Sequence, residues 1–172
     1  MRPATKKVLV AAGCAALVWT AGVGTSHAAT AQTNTTATVL LPITITKTAD
    51  LNFGKFLSGV AGGTVVVSTA GAQSVTGDLA TTAAFGAFAA AAAFTISGEP
   101  TSTYAVTFPA QTALTGPGAD MTIGTFTTAS TGTLNTFGAG AETLSVGATL
   151  SVNADQASGT YNGTLDVAVN YN

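Results

Sequence analysis

Residues 143–171 read TLSVGATLSV, NADQASG, then TYNGTLDVAVNY, and the two alternating runs in this stretch decide the fold. In the first, Leu144, Val146, Ala148, Leu150 and Val152 alternate with Thr143, Ser145, Gly147, Thr149 and Ser151. In the second, Tyr161, Leu165, Val167, Val169 and Tyr171 oppose Asn162, Thr164, Asp166, Ala168 and Asn170. Successive side chains of a strand point to opposite faces, so a period of two describes a strand with one face buried and one wet. The turn-rich run from Asn153 to Gly159 separates the two strands.

The same period recurs upstream. Ala37, Val39, Leu41, Ile43 and Ile45 alternate with Thr36, Thr38, Leu40, Pro42, Thr44 and Thr46, which predicts a first strand over 36–46. Pro42 cannot donate to a ladder, so this strand lies at an edge or leaves its N–H side unpaired. Lys47 to Asp50 read as a turn, after which Leu51 and Phe53 point one way before Gly54. Val65 and Val67 mark a short strand after a Gly62-Gly63 turn, and Ser68 to Asp78 is a polar stretch. Residues 79–93 are alanine-rich and admit a helix, with Phe85 and Phe88 three apart. The preferred reading is a strand over about 91–97, with Ala90, Ala92, Phe94 and Ile96 on one face and a loop or short helical turn before it. Tyr104, Val106 and Phe108 alternate until Pro109; Met121 and Ile123 share a face, and Phe126 breaks the parity after Gly124, which predicts a bulge. Seven to nine short strands with Gly- and Pro-rich turns predict an all-β, antiparallel sandwich over 36–172, preceded by a polar tail at 29–35.

The first 28 residues read as a cleaved export signal. Arg2, Lys6 and Lys7 precede an apolar run from Val8 to Val23, and Ser26 and Ala28 stand three residues and one residue before the predicted cut. Lipid attachment at Cys14 is the competing reading, opposed by Ala11 and by the apolar run continuing past Cys14. Cleavage removes Cys14, Trp19, His27 and Arg2, leaving the bases Lys47 and Lys55 against seven acids, a formal charge of −5. That balance excludes nucleic acid as a partner, since phosphate neutralisation needs clustered Lys and Arg. No apolar stretch of about 20 residues remains, so no stable membrane insertion is expected.

Catalysis is poorly supported. With His and Cys gone, no Ser or Thr has an activating base apart from Lys47 or Lys55, both read as flanking exposed turns. The acids Asp50, Asp78, Glu99, Asp120, Glu142, Asp155 and Asp166 are scattered one per turn or strand end, the pattern of a solvated surface. Asp50 with Asn52, or Asn153 with Asp155, offers oxygen ligands but no complete calcium loop, so they read as turn formers. No enzyme activity, cofactor or metal is expected.

Three segments together carry a resemblance: TATVLLPITITKTADLNFG at 36–54, FTISG at 94–98 with YAVTFP at 104–109, and GTYNG at 159–163 leading into the last strand. They resemble the secreted proteobacterial family catalogued as domain of unknown function 4402. More distantly, the LNFG element and the final strand look like pilins of the spore coat U and archaic chaperone–usher group. That second likeness implies an immunoglobulin-like sandwich lacking one strand, supplied in turn by a periplasmic chaperone and by the N-terminal extension of the next subunit at the usher. Under it, Val39, Leu41, Ile43 and Ile45 would belong to a donor strand or complete their own domain. Tyr161, Leu165, Val167, Val169 and Tyr171 would flank the acceptor groove. The expected function is a surface structural or adhesion protein, a fimbrial subunit that self-associates. The alternative is a secreted glycan-binding module with an exposed aromatic cluster at Tyr104, Phe126 and Phe137.

Overall fold

A computed structural model describes residues 27–82, 84, 86, 88–135 and 140–172. Residues 1–26 of the export segment, Phe85 and Phe137 therefore lie outside the described residues. The chain divides after Ala37. Residues 27–37 carry no strand and are exposed throughout. From Thr38 onward the described residues form an all-β unit, in antiparallel sheets of a sandwich-like fold. Among the described residues no helix is long and apolar enough to cross a membrane.

Among the described residues eleven strands form: β1 (Thr44–Ala49), β2 (Asn52–Phe53), β3 (Leu57–Val67), β4 (Gln73–Ala80), β5 (Ala89–Ala90), β6 (Ala92–Ser97), β7 (Tyr104–Thr107), β8 (Thr112–Leu114), β9 (Met121–Ala129), β10 (Glu142–Val152) and β11 (Ala168–Tyr171). The spine is β10. One of its edges pairs with β9 over residues 145–151; the other pairs with β6 over 142–146 and then with β3 over 148–152. Outside these lie β1 on β6, β4 on β3, and β8 on β9. Facing the β6–β10 half are β7 and β11, paired from Ala168–Thr107 to Tyr171–Tyr104.

The inward residues of β10 join two core clusters. Leu144 and Val146 pack with Phe94, Ile96, Tyr104 and Leu134; Ala148, Leu150 and Val152 pack with Phe53, Val65, Val67 and Ile123. Leu144 and Val146 are completely buried, and full burial of such a side chain stabilises by about 1.5–3 kcal/mol. The predicted bulge is present where the β9–β10 register shifts between Gly147 and Thr149, with Thr125 at φ 48°. It returns Phe126 to the inward face, where its ring stacks on Phe108 with centroids 5.0 Å apart.

Several sequence expectations need correction. The alternation over 36–46 does not form one strand: pairing begins at Thr44, opposite Ser97, because β6 ends there in the Gly98-Glu99-Pro100 turn. It then runs on to Ala49, so Lys47 lies within β1 rather than in a turn. Gly62 and Gly63 do not make a turn either; they sit inside β3, where the register against β4 shifts between Ser58 and Gly63. The stretch read as polar holds most of β4, whose inward residues Val75 and Leu79 are too few to show a period. In the alanine-rich segment the expected strand is present as β6, with Ala92, Phe94 and Ile96 buried, but Leu79 and Ala80 end β4 and Ala89–Ala90 form the unforeseen β5.

Candidate strand-acceptor groove

The last segment is organised by strict alternation. Tyr161, Leu165, Val167, Val169 and Tyr171 are half-buried, and Asn162, Thr164, Asp166, Ala168 and Asn170 are exposed. Its backbone alternates as well. Asn162 exchanges both main-chain bonds with Thr115 at 2.9 Å, Thr164 accepts from the Thr112 hydroxyl at 2.8 Å, and the Asn172 N–H reaches Thr103 at 3.2 Å. Even-numbered residues thus face β7 and β8. By the two-residue alternation the N–H and C=O groups of Gly163, Leu165 and Val167 belong to the other edge, and no strand pairs with them among the described residues. An edge of this kind is a template for another chain.

On that side lies a groove of about 1190 Å³. One rim is the stretch from Lys47 to Ser58; the other is Gln156 to Asp166. Its floor is core: Phe94 from β6, Met121 and Ile123 from β9, and Leu150 from β10. The rims run antiparallel, since β1 leads from Thr44 toward Ser58 while the last segment leads back toward Tyr171.

A tyrosine fastens each end of the last segment. The Tyr161 hydroxyl donates to the Ala157 carbonyl at 2.8 Å and accepts from Gly118 N–H at 3.0 Å and Gln156 Nε2 at 2.7 Å. At the other end the Tyr171 hydroxyl donates to the Leu41 carbonyl at 2.8 Å and accepts from Glu99 N–H at 2.6 Å. A Cβ at Gly98 would stand 2.2 Å from that hydroxyl, so only glycine allows the approach.

The residues singled out from sequence are brought together only in part. Tyr161 and Leu165 line the groove, while Val167, Val169 and Tyr171 pack on the β6–β10 cluster beside it. Ile45 and Ile43 join that same cluster. Val39 and Leu41 do not enter it: they are 93% and 49% exposed, with Leu40 between them at 56%. The opposite rim and the floor were not foreseen, although Leu51 and Phe53 signalled an inward-facing stretch there.

Other polar groups have local partners. Glu142, read as a solvated acid, accepts from the Tyr104 hydroxyl at 2.6 Å and the Thr131 hydroxyl at 2.8 Å. Burial first, and the Glu142 carboxylate second, push the Tyr104 phenol up to about 12. Tyr104 is thereby 4% exposed, and Phe126 is half-buried, so two of the three proposed glycan-platform rings do not form an exposed cluster. Lys47 pairs with Asp50, and Lys55 lies 4.3 Å from the Phe88 ring centroid. Asn52 Oδ1 accepts from Gly54 N–H at 2.8 Å, a turn-forming contact. No group of three or more metal-ligating side chains occurs among the described residues.

A family model described as Domain of unknown function (DUF4402) matches residues 43–171. No curated protein and no solved structure matches the chain.

Proposed function

We propose that this chain, which belongs to the family of the domain of unknown function (DUF4402), is an exported surface structural protein, a fimbrial subunit whose copies join by β-strand addition. The observation that carries the reading is the unpaired edge at Gly163, Leu165 and Val167 beside a groove floored by core residues. Strand addition satisfies such an edge through main-chain hydrogen bonds, while alternate side chains fill the groove.

The occupant is residues 29–41 of a second copy. That segment is exposed and forms no strand, it presents Val39, Leu40 and Leu41 to solvent, and it contains no ionisable side chain. Burying it desolvates no charged side chain, which would otherwise oppose insertion. The pilin likeness of the LNFG element and the last strand supports the same reading. A periplasmic chaperone and an outer-membrane usher are the matching assembly partners. The protein acts by association rather than by catalysis.

The test uses protein comprising residues 29–172 and a truncation lacking 29–41. The longer protein should form concentration-dependent assemblies visible by electron microscopy. The truncation should stay monomeric and gain thermal stability when a peptide of residues 29–41 is added. A monomeric longer protein, together with a peptide that leaves the truncation's Tm unmoved at millimolar concentration, sinks the reading.

A further inference from the structure

We infer that Tyr171 and Glu99 form an exit clamp on Leu41 that denies the chain's own groove to its N-terminal segment and so reserves that segment for a second copy. The inference rests on the strand-addition reading and concerns how self-capping is avoided.

The last ladder pair of β1 with β6 is Thr44–Ser97. Beyond it, both main-chain groups of Leu41 are held by the end of that sheet. The Leu41 N–H donates to Glu99 Oε2 at 3.0 Å, and the Leu41 carbonyl accepts from the Tyr171 hydroxyl at 2.8 Å. That hydroxyl is itself fixed by Glu99 N–H at 2.6 Å. Leu41 is therefore anchored at Glu99 and Tyr171, past the Thr44 end of β1. The groove rim begins at Lys47 and continues to Ser58, on the far side of Thr44.

To cap itself with a tight hairpin directly on β1, the chain would reverse between Leu41 and Thr44 and lie along the free edge of β1. Only Pro42 and Ile43 are available for that reversal, because Leu41 is clamped and Thr44 is paired. Two-residue hairpins need positive φ at one or both central positions. Proline is locked near −65°, and a β-branched residue at positive φ is a steric outlier. Clamp and turn residues thus work together: neither the bonds at Leu41 nor the Pro42-Ile43 pair permits the hairpin.

Two variants of the 29–172 protein separate the parts. Tyr171→Phe removes both hydroxyl bonds but keeps the ring over Gly98. In proteinase K digestion followed by N-terminal mass analysis, the protected domain of monomeric wild type should begin at Leu41, and that of Tyr171→Phe at or after Ile43. Pro42→Asn combined with Ile43→Gly supplies a turn that tolerates positive φ. It should yield closed monomers that assemble severalfold less and refuse the added peptide of residues 29–41. Glu99→Ala, outside the core, repeats the clamp test should Tyr171→Phe fold poorly. The clamp is wrong if Tyr171→Phe and Glu99→Ala keep the wild-type protected start. The self-capping argument is wrong if the Asn-Gly variant assembles as wild type does. If wild type itself neither assembles nor binds the peptide, the strand-addition reading and this inference fall together, whereas a shifted protected start then leaves only the clamp's bonds standing.

Discussion

Tyr104 shows how much a single hydroxyl can carry. Its phenol is buried and donates to Glu142, whose other oxygen accepts from Thr131, so one carboxylate ties β7, β10 and the segment after β9 together. The phenol is raised from 10.0 to about 12. A group with a raised folded value stabilises the fold fully below its unfolded value and loses that contribution as pH climbs through the folded one. Stability should therefore fall between about pH 10 and pH 12. Tyr104→Phe should flatten this alkaline step in denaturant melts, whereas an unchanged slope would show that the phenol does not titrate there. None of this was legible in sequence. Alternation placed Tyr104 on a strand face, but the Glu142 partner lies 38 residues away and only the folded chain brings it near. Tyr171 is a similar case: its alternation was readable, while its contact with Leu41 spans 130 residues.

Elements were readable where the two faces of a strand differ in chemistry. In β10 the inward residues are Leu, Val and Ala and the outward ones Thr, Ser and Gly, so the period stands out. In β4 only Val75 and Leu79 reach the core and the strand disappears into polar sequence. Residues 36–42 failed differently. Their alternation reports a face suited to burial, but β6 ends at Ser97 and leaves this stretch no strand to pair with. The last segment offers a direct check at this scale. Proline at an odd position loses an N–H that has no ladder partner, whereas proline at an even position breaks the pairing with β7. Val167→Pro should abolish binding of the 29–41 peptide while costing the fold about as much as trimming a half-buried valine, on the order of 1 kcal/mol. Ala168→Pro should destabilise the fold itself by more than that. Equal melting losses in the two variants would contradict the assigned edge.

Across the whole molecule, charge is sparse and unevenly used. Both lysines of the described residues, Lys47 and Lys55, stand on one groove rim, while the other rim carries Asp166. The segment proposed to fill the groove carries no charged side chain. Screening acts on charge pairs, so peptide affinity should change little between low and high salt. A steep salt dependence would point to a charged occupant instead.

The β10 spine has a thermal consequence as well. Leu144 and Val146 complete one core cluster, and Ala148, Leu150 and Val152 complete the other. Melting either cluster strips a continuous strand of partners it shares with its neighbour. Calorimetry should accordingly record one heat-absorption peak with matching calorimetric and van't Hoff enthalpies. Two resolved peaks would mean that the halves come apart independently. The same continuity predicts that amides near Ser145 to Thr149 exchange only through global opening, making the middle of β10 the slowest clock in the molecule.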